Sequence, residues 1–500
     1  MYSVISLTWK LPIMNHASAE FDICVIGGGA AGLVVAAGGA TMGAKVILVE
    51  KNGLGGDCLR YGCVPSKALL HCAKVAQTMR WAERFGITPC EPEIDLAAVM
   101  ERIQRVIRAI EVHDSPERFR ALGVELVSGH GRFGDPSTVV VNGREITARN
   151  FVLATGSRAA IPDIPGLDQV PYLTTESVFA LREQVPSLIV LGGGPIGVEM
   201  AQAFSRLGSR VFLVNRSPQL LPNEDSDLAT VVAERISTEG VSLYQGYSSV
   251  RVEKQDGGLR LWLAAPDGSE HVLEASHLLL ATGRRPNIGD LGLAQAGIEL
   301  LHGRIVAGPN LRTTNRHVYV CGDAAGGHQF THVAEHHAGV VLRNILFHLP
   351  ARVEERVIPW CTFTDPELAR VGLSEREARL SDIAYRVYTF PFTDIDRAQT
   401  DGETEGFVKI LATPRGRLLG AAIVGPHAGE LIHEYALAMA EKIRLSSLSG
   451  MLHVYPTMAQ INRRVAEAYR KEALTPEVKK WIKRLFSLRG RLDEAAIGEA

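Results

Sequence analysis

Asp22-Ile-Cys-Val-Ile-Gly-Gly-Gly-Ala-Ala-Gly32 is the stretch on which the fold turns. An apolar run enters the glycine pattern Gly27-x-Gly29-x-x-Gly32, a helix of small residues follows, and Lys45-Val-Ile-Leu-Val49 ends in Glu50. The glycines allow a tight turn, close approach of backbone to a pyrophosphate, and close packing of helix on sheet, with the helix N-terminus facing the phosphates. The span from Phe21 to Ala40 is apolar enough to suggest a membrane segment. Its glycines Gly27, Gly28, Gly29, Gly32, Gly38 and Gly39 read instead as strand, turn and helix.

The pattern returns 165 residues later, where Leu188-Ile-Val-Leu191 enters Gly192-x-Gly194-x-x-Gly197 and Arg210-Val-Phe-Leu-Val214 ends in Asn215. One such motif is weak; two in full strand-helix-strand context predict two βαβ dinucleotide sites. The residue 18 positions after the last glycine separates them. Glu50 can accept hydrogen bonds from ribose hydroxyls, which suits the adenosine half of FAD. Asn215 omits that carboxylate and Arg216 follows it, so a 2′-phosphate would meet a cation. The second site is expected to favour NADPH, with NAD the other possibility.

The chain has 500 residues, enough for two to four domains, and its 53 basic and 55 acidic residues leave a net charge of -2. That balance carries no electrostatic footprint for nucleic acid. Seven cysteines are too few for a disulfide scaffold and point to a reducing, cytoplasmic setting. Met1 to Ala19 lack the basic region of a secretory signal and read as an N-terminal extension, with Met14 an alternative start.

The expected fold class is α/β: two Rossmann-like nucleotide-binding domains, for FAD and NAD(P), plus a separate α+β C-terminal domain. The expected division is 1–19 extension, 20–160 FAD-binding domain (first part), 161–283 NAD(P)-binding domain, 284–355 FAD-binding domain (second part), 356–475 C-terminal domain and 476–500 basic amphipathic tail. Phe151-Val-Leu-Ala-Thr-Gly156 and Leu278-Leu-Leu-Ala-Thr-Gly283 mark exits from the two sheets, and Val318-Tyr-Val-Cys-Gly-Asp323 a return to the first. Leu96, Val99, Met100, Ile103, Val106, Ile107 and Ile110 fall on one apolar helix face after Asp95.

Cys58 and Cys63 sit in Gly55-Gly56-Asp57-Cys58-Leu-Arg-Tyr-Gly-Cys63-Val-Pro-Ser-Lys67. A helical reading puts the sulfurs little more than one turn apart, within reach of a disulfide after modest adjustment. Lys67 one turn on and a helix start both favour thiolate. The alternatives are two inert core thiols or a metal site drawing on His71 and Cys72. A redox pair beside one nucleotide site, with a second site downstream, is the minimum equipment for hydride to flavin to disulfide transfer.

These residues closely resemble the class I pyridine nucleotide-disulfide oxidoreductases, the family of dihydrolipoamide dehydrogenase, glutathione reductase and mercuric reductase, over roughly Phe21 to Leu474. The resemblance implies that Cys58 is the interchange thiol facing substrate and Cys63 the thiol against the flavin. It implies that Lys67 pairs with Glu199 near flavin N5, that Asp323 binds the ribityl chain, and that the backbone at His130 meets adenine. With the fingerprint residues, the candidate cofactor contacts are Lys51, Gly56, Gly131, Thr155, Gly156 and Ala324 for FAD, and Pro195, Val250 and Gly283 for NAD(P). Phe363-Thr-Asp-Pro-Glu-Leu-Ala-Arg-Val-Gly372 and Asp396-Arg-Ala398 are similar to the family's dimerisation domain, so the resemblance makes residues 356–475 an α+β C-terminal dimerisation domain.

One departure selects a branch. Where lipoamide- and glutathione-type members carry a His before Pro-Thr and a Glu five residues after it, this chain has Tyr455 and Gln460. A Tyr is a poor base at neutral pH, whereas reduction of a thiolate-bound metal ion needs no thiol protonation. Mercuric reductases are similar in having Tyr there, but the metal-passing cysteines are missing: no N-terminal Cys-x-x-Cys module and no cysteine after Cys361. His453, on a strand-like stretch, reads as structural. The expected activity is therefore transfer of electrons from NADPH through FAD and Cys58/Cys63 to a soft oxidant, a metal ion, small disulfide or quinone, by a homodimer. The alternatives are a dihydrolipoyl dehydrogenase and a redox sensor without turnover. Lys479, Lys480, Trp481, Ile482, Lys483, Arg484, Leu485 and Phe486 form a basic amphipathic pattern that would touch an anionic membrane, lie in solvent, or pack on the dimer.

Overall fold

Phe21–Ile26 (β1) has almost no exposed side chain, as a central strand covered on both faces requires. In this computed structural model, which describes residues 19–490, β1 leads through the glycine turn to Ala30–Thr41 (α1) and on to Val46–Glu50 (β2). The apolar Phe21 to Ala40 segment is thus strand and helix.

The described residues fall into two compact units. The first comprises residues up to Cys58, Ile110–Arg158 and Pro286–Val353; the second comprises Leu59–Ala109, Ala159–Arg285 and residues from Glu354 onward. In the first, β2 pairs in parallel with β1 and with Glu125–Ser128 (β3). Arg132–Asp135 (β4) and Thr138–Val141 (β5) form an antiparallel extension that joins Arg144–Leu153 (β6), and β6 runs parallel to β1. The Val318–Val320 strand closes the sheet on β6 in parallel, the expected return of the chain. α1 packs on the Thr331–Leu346 helix over one face, around Ile23, Val25, Val35 and Val341. Burial pushes the thiols of Cys24 and Cys321 up to about 12, so these core cysteines are inert.

The second unit repeats the arrangement: a parallel sheet in the order Ser242–Gln245, Arg210–Asn215, Ser187–Leu191 and His277–Leu280, flanked by a three-stranded antiparallel sheet from Ser248 to Ala275. Its helices include Cys63–Arg80 (α3), which follows the short Gly56–Arg60 (α2) after a turn at Tyr61-Gly62, and Leu96–Glu111 (α4). The sequence reading ran one helix through both cysteines; the turn breaks it. α4 buries Leu96, Met100, Ile103 and Ile107, while Ile110 at its end is exposed, a correction to the expected face. Beyond Ile358 a five-stranded antiparallel sheet carries the Ala428–Ala440 and Gln460–Glu472 helices, with Tyr435 and Phe392 fully buried between layers. The stretch around His453 is irregular loop, not strand, because Leu452 and Val454 both face solvent and find no pairing edge. The predicted extension and the end of the predicted tail, 491–500, lie outside the described residues.

Candidate active site

The two glycine turns are built alike. Gly27 has φ 108° and Gly192 φ 115°, and a Cβ there would come within 2.3 Å of the Ala154 carbonyl and 2.2 Å of the Ala281 carbonyl. The Ala-Thr-Gly strand exits therefore press against the turns, and only glycine fits. Gly32 and Gly197 lie so close to the carbonyls of Gly27 and Gly192 that a Cβ would stand 1.8 Å away. α1 and the Pro195–Arg206 helix both start at a glycine, Gly29 and Gly194, without a side-chain cap. Their first N–H groups face the turn, the arrangement that receives a pyrophosphate.

The residues at the end of each second strand diverge. The Gly28 and Asn52 N–H groups donate to the Glu50 carboxylate at 2.5 and 2.6 Å, which turns it across the first site. Asn215 is buried: the Gly193 N–H donates to its Oδ1 at 3.2 Å, while its Nδ2 donates to the carbonyls of Ser217 and Gln219 at 3.0 and 2.7 Å. Its amide thus shapes the loop, and the exposed Arg216 beside it is the group that faces outward. Thr155 Oγ1 is buried with no partner, and the Ser157 hydroxyl donates to Asp323 at 2.5 Å. The partnerless Thr155 hydroxyl and a glycine turn with no room for a Cβ in the first unit fit a dinucleotide with a polyol chain. Of the remaining candidates, Lys51, His130, Pro195 and Gly283 are exposed, Gly131 and Ala324 are buried, and Val250 is exposed in a strand of the antiparallel sheet.

Cys58 is the third residue of α2 and half-buried; Cys63 opens α3 and is exposed. Lys67, one turn into α3, donates to both oxygens of Glu199 at 3.1 and 2.9 Å. Burial works against the Lys67 charge, but Glu199, with smaller help from Cys63 and Cys361, outweighs it and raises the ammonium above the usual lysine range. The cation stays protonated beside Cys63 through neutral pH. Sequence reasoning missed what completes this pair: the Phe363 N–H donates to Glu199 at 2.9 Å and its ring lies 4.5 Å from the Lys67 ammonium. It also missed the buried His337, whose Nδ1 accepts from the Gly322 N–H at 3.3 Å next to Asp323.

Tyr455 stands elsewhere in the second unit, 66% exposed, its hydroxyl donating to Asp396 at 3.0 Å. Gln460 begins the Gln460–Glu472 helix. His453 lies 3.2 Å from Glu434, which also accepts from Asn462. Among the described residues no cluster of three or more His, Cys, Asp or Glu is arranged to hold a metal, and no helix is long and apolar enough to cross a membrane.

Two dinucleotide turns of one design and a Cys-x4-Cys segment define a flavoprotein oxidoreductase with a thiol pair. Residues 21–338 match the pyridine nucleotide-disulphide oxidoreductase family and residues 358–465 its dimerisation domain. The chain is 34% identical over 448 residues to a mercuric reductase of Bacillus cereus, covering 89% of this chain and 71% of that protein. It is 36% identical over 469 residues to a dihydrolipoamide dehydrogenase of Chaetomium thermophilum, covering 91% and 92%. The Cu(II) complex of the HOCl-induced flavoprotein disulfide reductase RclA from Escherichia coli is similar in structure, with TM-score 0.80 and 26% identity over 90% of this chain and 100% of that one. The chain belongs to the pyridine nucleotide-disulphide oxidoreductase family, enzymes that bind FAD and use NAD(P)H.

Proposed function

We propose that this enzyme is an NADPH-dependent homodimeric reductase that delivers electrons through Cys58 and Cys63 to a soft oxidant, a metal ion, small disulfide or quinone, in a reducing cytoplasm. FAD, when bound, supplies the two-electron relay between nicotinamide and thiols. Glu50 orients the adenosine end, Asp323 and Thr155 engage the polyol chain, and the start of α1 receives the pyrophosphate. Arg216 meets the 2′-phosphate. Lys67 holds a positive charge beside Cys63, with Glu199 and Phe363 fixing its position, and Cys58 presents the sulfur that the oxidant reaches.

In the proposed homodimer Tyr455 comes from the second chain to face Cys58, as in the family this chain resembles, and there it carries the choice of oxidant. The hydrogen bond to Asp396 and the charge of that carboxylate raise its pKa above the usual tyrosine value. A phenol so held is a poor base for a dithiol, and His453 beside it is bound to Glu434. Dihydrolipoyl dehydrogenase is the second reading, favoured by 36% identity to a protein of that activity. A screen of Hg(II), Cu(II), glutathione disulfide and quinones with NADPH, against dihydrolipoamide with NAD, separates the two. Turnover with one of the first group and none with dihydrolipoamide is expected. Robust NAD-linked dihydrolipoamide oxidation would overturn the proposal, and an absence of steady NADPH consumption with every acceptor would favour a sensor.

A further inference from the structure

The Pro476–Leu485 helix is capped by Thr475, whose hydroxyl accepts from the Val478 N–H, and has Pro476 in its first turn. Val478, Trp481, Ile482 and Leu485 recur at three- and four-residue spacing on one face, and Lys479, Lys480, Lys483 and Arg484 occupy the rest. A helix with such a stripe ordinarily buries it, yet within the single chain none of its residues is buried: Trp481 is 61% and Leu485 56% exposed. Exposed Phe486 and Leu488 extend the apolar surface past the helix end.

Charge says what covers this stripe. Between Arg470 and Gly490 stand seven cations and two carboxylates, a local excess of five in a chain whose total is -2. The remainder of the chain is net acidic, so an anionic surface attracts this segment more than it attracts the body as a whole. We propose that the helix docks the enzyme on an anionic lipid bilayer, lying in the plane of the interface with Trp481, Leu485 and Val478 among the acyl chains. Lys479 and Arg484 border the stripe, so their stems lie along it while their charges reach lipid phosphates. At ten residues the helix is about 15 Å long, too short to span the bilayer. Two copies joined stripe to stripe would set those bordering cations against their own kind, which disfavours self-association.

The test is co-sedimentation of the full-length holoenzyme with vesicles of phosphatidylcholine alone or mixed with phosphatidylglycerol, at roughly 0.05 and 0.5 M salt. Binding to the mixed vesicles at low salt is expected, with roughly tenfold weaker binding at high salt and to phosphatidylcholine alone. Trp481→Ala/Leu485→Ala and, separately, Lys480→Glu/Arg484→Glu should each weaken it about tenfold or more, with FAD content and turnover in solution unchanged. Absence of binding to the mixed vesicles, or binding that survives both double substitutions, overturns the proposal. So does a vesicle-free assembly larger than that of Trp481→Ala/Leu485→Ala, which would assign the stripe to a second copy.

Discussion

Arg216→Ala is the cleanest probe of nucleotide choice, because the structure separates Arg216 from its neighbour. Replacing Asn215 with an acid would also convert two donated hydrogen bonds, to the Ser217 and Gln219 carbonyls, into buried oxygen–oxygen contacts. At about 1 to 3 kcal/mol for each group left unsatisfied, the loop itself would loosen and both nucleotides would suffer. Arg216 is exposed and its removal leaves those bonds in place. A charge-assisted contact to phosphate is worth about 1.5 to 3 kcal/mol, and solvent around Arg216 places it at the low end. The expected loss in kcat/KM for NADPH is therefore about tenfold, with NADH within twofold or so of the parent enzyme. Stopped-flow flavin reduction at several concentrations of each nucleotide reads both values. Equal losses for the two nucleotides, or a parent enzyme that already prefers NADH, would refute the reasoning.

Cys63→Ser should abolish the long-wavelength absorption of the two-electron-reduced enzyme while Cys58→Ser keeps or strengthens it; loss in the Cys58 variant alone would reverse their roles. Arg206 is 2% exposed and bonds Glu239 at 2.7 and 2.6 Å and Asp365 at 2.9 Å. Arg206→Leu strands the buried Glu239 and should cost about 3 kcal/mol, the low end for a broken buried pair because Arg235 lies 3.8 Å from the same carboxylate; chemical denaturation measures it. Burial, with the neighbouring His336, lowers His337 to about 4. The unfolded chain then binds the extra proton first, so stability present above about pH 6.5 is lost as pH falls toward 4, by roughly 3 kcal/mol, and His337→Gln should flatten that loss in urea melts.

What the chain declares locally, it declares clearly. The glycine fingerprints, the strand-end Glu50 and Asn215, and most of the α4 face each lie within a single short segment, where period and turn chemistry act directly. The missed features join residues distant along the chain. Phe363 reaches Glu199, and Ser157 reaches Asp323, only after the sheets have formed, so no spacing rule marks either. The inward turn of Asn215 was hidden for a related reason: a neutral amide satisfies one donor and two acceptors of a tight loop as well as it would face a ribose. The break at Tyr61-Gly62 had a visible signal in its glycine, outweighed by the helical spacing of the cysteines.

The choice of oxidant rests most heavily on Tyr455, and NAD-linked oxidation of dihydrolipoamide tests it most directly. The unmodified enzyme should show next to none, while Tyr455→His with Gln460→Glu should raise it measurably from that floor. Robust dihydrolipoamide turnover by the unmodified enzyme would contradict the account.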